Sequence, residues 1–219
     1  SKGIDEWKDQ SYVLWGLSQE CLSRTIFPMG QYHKEDIKQM AIDRGYEELA
    51  TKPESYEICF IPDNDYRGFL KRKVEGLEEQ VKGGNFINTK GEVIGTHDGY
   101  PFYTIGQRKL GVSFGLEASY VIEIKPETNE VVVGSKEDLN KQEMVVKGLN
   151  YIKYDSIPDN FESLTKVRYK HQGEQSTLTN MDKEIKVLFH KKVEGIAPGQ
   201  SAVFYEGNDV LGGGFIAKQ

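Results

Sequence analysis

LTKVRYK (164–170), EQSTLT (174–179), IKVLFHKK (185–192), GQSAVFYEG (199–207) and DVLGGGFIAK (209–218) follow one another between turn residues at intervals of roughly ten, the spacing of a small all-β barrel or sandwich. SYVIEIK (119–125), EVVVG (130–134) and MVVKGLNYI (144–152) carry the pattern back to residue 118. A closed barrel would leave no sheet edge unpaired. The run Leu211-Gly212-Gly213-Gly214-Phe215 opens no helix, so it is read as a bulge or a close strand crossing rather than a nucleotide loop.

Upstream of this block, Gly recurs at 83, 84, 91, 95, 99, 106, 111 and 115, which predicts hairpins in place of helices. Before residue 83 the period becomes helical. Residues 8–25 place Val13, Leu14, Leu17, Cys21 and Leu22 on one stripe, predicting a single amphipathic helix with Cys21 on its buried face. Lys34 to Arg44 predicts a second helix stopped by Gly45, and Tyr66 to Val74 a third, capped by Asp65, with Phe69, Leu70 and Val74 inward. The expected organisation is multi-domain α+β, divided at 1–60, 61–117 and 118–219, with the β-barrel last.

With 219 residues, 37% hydrophobic and 28% charged, the chain can bury a core, and the composition argues against wholesale disorder. No apolar run approaches a membrane span, and the first thirty residues do not read as a signal peptide, so a cytoplasmic protein is expected. A net charge of −6 weakly opposes nucleic acid, which local basic clusters would have to attract. Lys166, Arg168 and Lys170 form such a cluster: on an extended strand they share one face, with Val167 and Tyr169 on the other. Arg67, Lys71, Arg72 and Lys73, and the pair Arg108-Lys109, repeat the signal more weakly.

Four histidines and two cysteines show no metal-ligand spacing, so no metal site is expected. Cys59, in ESYEICFIP (54–62), is either a small apolar side chain on a strand or a functional thiol; the residues alone leave both readings open.

Taken in order, Asp5 with Lys8-Asp9-Gln10-Ser11-Tyr12, then Ile26-Phe27-Pro28-Met29-Gly30, Glu54-Ser55 with Ile58-Cys59-Phe60-Ile61, Thr104-Ile105-Gly106-Gln107-Arg108-Lys109 and Pro198-Gly199-Gln200-Ser201-Ala202-Val203-Phe204-Tyr205 with Leu211-Gly212-Gly213-Gly214 resemble the C-terminal portion of the tRNA-specific 2-thiouridylases. The resemblance covers the whole chain. It implies ATP-dependent adenylation (with Mg) of the wobble uridine C2 oxygen, then replacement of that oxygen by persulfide sulfur supplied by a donor protein. Cys59 would carry the persulfide, and Lys8, Asp9, Gln10, Arg168, Tyr169 and Gln200 would contact tRNA. The resemblance also makes the first segment the helical tail of the adenylating α/β domain and the middle one a linking domain. The family's N-terminal Ser-Gly-Gly-Val-Asp-Ser-Ser type of loop and its second cysteine are absent from these residues, so the chain is expected to be inactive alone. Arg168 and Tyr169 are adjacent, and both can face RNA only at a strand end, edge or bulge. The alternative is a non-catalytic RNA-binding barrel in which Cys59 is packing.

Overall fold

The computed structural model describes residues 1–53, 60–61, 63–111 and 119–218. Along the described residues run a 3-10 turn (Ser11–Gly16), helices α1 (Gln19–Arg24), α2 (Lys34–Ile42), α3 (Glu47–Thr51), α4 (Tyr66–Lys73) and α5 (Leu77–Val81), and ten strands. The strands are β1 (Gly84–Asn88), β2 (Val93–His97), β3 (Tyr120–Lys125), β4 (Glu130–Gly134), β5 (Asn140–Tyr151), β6 (Phe161–Lys166), β7 (Glu174–Met181), β8 (Glu184–Glu194), β9 (Ser201–Glu206) and β10 (Asp209–Ile216). They divide into two compact units, Ser1–Pro53 with Lys141–Gln219, and Glu54–Asn140. Among the described residues no helix is long and apolar enough to cross a membrane.

In the first unit the expected barrel is present, closed in the order β10-β5-β8-β7-β6-β9. Period-two alternation fills it: Ile185, Val187 and Phe189 of β8 are buried in the core, while Leu188 and His190, on either side of Phe189, are exposed. The glycine run makes two register shifts, at Val210/Gly212 against β9 and Gly213/Phe215 against β5. A Cβ at Gly213 would lie 2.5 Å from the Ala202 carbonyl oxygen, and one at Gly214 2.6 Å from that of Lys147, so the neighbouring strands come closer than a side chain permits.

Four expectations change. The runs at 119–125 and 130–134 are not barrel strands: β3 and β4 join a four-stranded sheet of order β2-β1-β4-β3, in which β1 pairs parallel to β4. Val121, Val131 and Val133 pack there with Phe86, Leu77 and Val81; regular spacing of amphipathic runs does not say which partner each will bury its face against.

The 8–25 helix is two pieces. Ser18 Oγ accepts the Cys21 amide at 3.2 Å and starts a new helix, α1, and the preceding turn buries Tyr12 and Trp15 at three-residue spacing, leaving Val13 outside. Cys21 is exposed, not buried. Helices α2 and α4 lie where expected, Gly45 adopting φ +82° and Asp65 accepting the Gly68 amide at 2.8 Å. Val74 is exposed because α4 ends at Lys73 and the chain becomes extended.

His97 is buried in the second unit, its ring edge-on to Phe86 (4.9 Å) and beside Tyr103 (5.2 Å). Its Nδ1 accepts the Gly99 amide at 3.0 Å, and Nε2 has no hydrogen-bond partner among the described residues. Burial holds its pKa below the ordinary imidazole value, and protonation would also set N–H against N–H at Gly99. The folded group is therefore the weaker base. It adds stability above the unfolded imidazole pKa of about 6.5, and that stability is lost as pH falls below it. Thermal unfolding of wild type should show Tm falling between about pH 7 and pH 5, with the slope reduced in His97→Phe; an unchanged slope would refute the assignment. His171, also lowered by burial, adds a part of the same sign.

Candidate nucleic-acid interface

Strand β6 stops at Lys166, and Val167 still enters the barrel core. The chain then turns, with the His171 amide donating to the Arg168 carbonyl at 3.1 Å. Arg168, Tyr169 and Lys170 are all exposed on this turn. The strand end thus frees Arg168 and Tyr169 from opposite-face geometry. Arg168 Nη1 donates to the Glu194 carbonyl at 2.7 Å, which fixes the guanidinium while leaving further N–H donors for a ligand.

Tyr12 draws two other segments to this turn. Its ring meets Tyr169 edge-on, with 6.3 Å between centroids, and its hydroxyl donates to the Ser201 carbonyl at 2.7 Å. Gln200, next to Ser201, is exposed. Immediately before Tyr12 lie Lys8 and Gln10, both exposed, and Asp9, which is half-buried. The Asp9 carboxylate accepts the Gly3 amide (3.0 Å), the Ser11 amide (3.2 Å) and the Ser11 hydroxyl (2.7 Å). Asp9 therefore shapes the loop that presents its neighbours.

Tyr12 itself sits on the outer face of the barrel, clustered with Trp15, Val203, Tyr205 and Val210. The Trp15 ring lies over Gly213 and edge-on to Phe215 at 5.2 Å. Asn150 Nδ2 donates to the carbonyls of Trp15 (2.5 Å) and Leu17 (3.0 Å). The hydroxyls of Tyr205 and Ser11 are 3.2 Å apart. Burial pushes both tyrosines up to about 12, with Arg168 pulling Tyr12 partly back, so both hydroxyls stay protonated near neutrality. Tyr12 and Tyr205 organise the surface but were absent from the sequence-derived site; an outward aromatic on a strand is legible only once something is known to cover that face.

Part of the weaker basic signal is absorbed locally. Lys71 pairs with Glu78 and Arg72 with Asp63, and the Arg67 guanidinium lies over Phe102 and Tyr103. Arg108 and Lys109 remain exposed on a turn tied by Gln107, which accepts the Thr104 amide and donates to the Lys109 carbonyl.

Cys59 lies outside the described residues. Among those described, no glycine loop opens a helix, and no group of three His, Cys, Asp or Glu residues could hold a metal ion.

Residues 1–63 match the family model of the tRNA methyl transferase HUP domain, 67–135 that of the tRNA methyl transferase PRC-barrel domain, and 141–216 that of the aminomethyltransferase beta-barrel domain. The chain is 57% identical to the tRNA-specific 2-thiouridylase MnmA of Cytophaga hutchinsonii, over 99% of its own residues and 59% of the relative's. The same-named proteins of Amoebophilus asiaticus and Salinibacter ruber are 55% and 50% identical, each over 99% of this chain and 58% and 57% of their own length. The chain spans less than three-fifths of these curated relatives. Three domain matches in order and high identity across nearly every residue lead to one assignment: the chain belongs to the MnmA family of tRNA-specific 2-thiouridylases.

Proposed function

We propose that this chain supplies the tRNA-contacting face and the sulfur-carrying cysteine of a cytoplasmic tRNA 2-thiouridylase. The observation that carries the reading is the convergence of residues 8–10, 168–169 and 200 around Tyr12, through one ring contact and one hydrogen bond. Exposed cations beside an aromatic side chain suit a nucleic-acid backbone and an unstacked base. Arg168, Lys8 and Gln10 contact RNA, Tyr169 stacks, Gln200 adds a polar contact, and Asp9 acts by holding the loop.

Cys59 accepts sulfur from a donor protein as a persulfide. Its terminal sulfur attacks C2 of a uridine whose oxygen has been made a leaving group, and C–O cleaves as C–S forms. A thiol outside this chain then attacks the Cys59 sulfur. The S–S bond breaks, the transferred sulfur is reduced and stays on the uridine, and the two cysteines are oxidised to a disulfide. Activation of the uridine by ATP needs residues this chain does not supply, so the chain alone forms no 2-thiouridine.

The test treats the full chain with inorganic polysulfide and locates the added sulfur by mass spectrometry. Sulfur on Cys59 in wild type and Cys21→Ser, lost in Cys59→Ser, is expected; equal labelling after Cys59→Ser would reject the role. An unmodified tRNA transcript should bind Cys59→Ser like wild type and Arg168→Ala about tenfold more weakly, the loss of one charge-assisted contact.

A further inference from the structure

Lys2 and, from the basic cluster read in the sequence, Lys166 share one aromatic ring. Lys2 Nζ lies 4.6 Å from the Tyr205 centroid and Lys166 Nζ lies 5.5 Å from it. Lys2 is placed by its amide, which donates to the Asn208 carbonyl at 2.7 Å in the β9–β10 turn. Lys166 is placed by strand pairing, opposite Val203 on β9. Both are half-buried, and neither has a carboxylate within ion-pair distance among the described residues. Asp9, whose charge acts on Lys2 together with that of Glu6, is itself engaged by two amides and a hydroxyl. Burial and then the charge of Lys166 hold the Lys2 pKa below its ordinary value. Two ammonium groups kept together without an ion-paired carboxylate are relieved by an anion that both can reach.

We propose that Lys2 and Lys166, held over Tyr205, form a subsite for one backbone phosphodiester of the RNA. The inference rests on the tRNA-binding reading above and extends that face from the Tyr12 cluster to the β9–β10 turn.

Lys2→Met and Lys166→Met keep an unbranched stem on the ring, so the fold is retained, as thermal unfolding would verify. Binding of an unmodified tRNA transcript to the full chain is measured across salt concentrations. The double variant should bind about tenfold more weakly, with the slope of log K against log salt shallower by about one, and Arg at both positions should restore the slope. An unchanged slope in the double variant, alongside weakened Arg168→Ala, would overturn the subsite and leave the RNA face standing. A wild-type chain that does not bind the transcript would overturn both.

Discussion

Trp15→Ala is expected to destabilise the first unit by about 3 kcal/mol, the usual cost of truncating a buried large aromatic. It should also weaken tRNA binding, although Trp15 is assigned no RNA contact. The ring is 8% exposed, sits edge-on to Phe215 and covers Gly213. It is the main apolar anchor, with Tyr12, of the segment that carries Lys8, Asp9 and Gln10. In the proposed RNA-binding reading that segment must be docked, so lowering the docked fraction lowers apparent affinity by the same factor. Urea unfolding followed by circular dichroism reads the first effect and a tRNA titration the second. A stability change below about 0.5 kcal/mol, the level of an ordinary surface substitution, would show that the segment is not held by this ring.

Gly213→Ala should cost about 2 to 3 kcal/mol, within the range for overpacking a tight site. The added methyl meets the Ala202 carbonyl oxygen at 2.5 Å and Trp15 Cγ at 2.9 Å. Only the second contact can move, since the first belongs to a paired strand of the closed barrel. The double variant Trp15→Ala/Gly213→Ala should therefore be less destabilised than the sum of the two, yet more than Trp15→Ala alone. Gly207→Ala is the comparison: its Cβ has open space but φ is +57°, so its cost is conformational, about 1 kcal/mol. Equal losses at 207 and 213 would refute the steric argument.

The surface ion cluster behaves differently from these packed positions. Lys153 reaches Glu206 (2.5 Å) and Asp209 (2.7 Å), and Tyr154 donates to Glu206 at 3.0 Å. Hydrogen bonding from Lys153 lowers both carboxylates and raises the amine. In solvent, such a network contributes little to stability.

Residue order alone was enough for the strands of the last block, as a barrel or a sandwich, for α2 and α4, and for the glycine run as a strand irregularity, because each depends on a local period, a cap or the absence of a side chain. Family motifs named the residues proposed to contact RNA without saying how they meet. Tertiary structure decided the rest. It placed β3 and β4 in a separate sheet, since strand partners are chosen by the face left to bury. It broke the predicted first helix, because Tyr12 and Trp15 gain more by covering the outer face of β9 and β10 than a continuous stripe including Cys21 would. It ended β6 at Lys166, which lets Arg168 and Tyr169 be exposed together. And it set Lys2 beside Lys166, residues separated by most of the chain, because a closed barrel brings distant segments onto one ring.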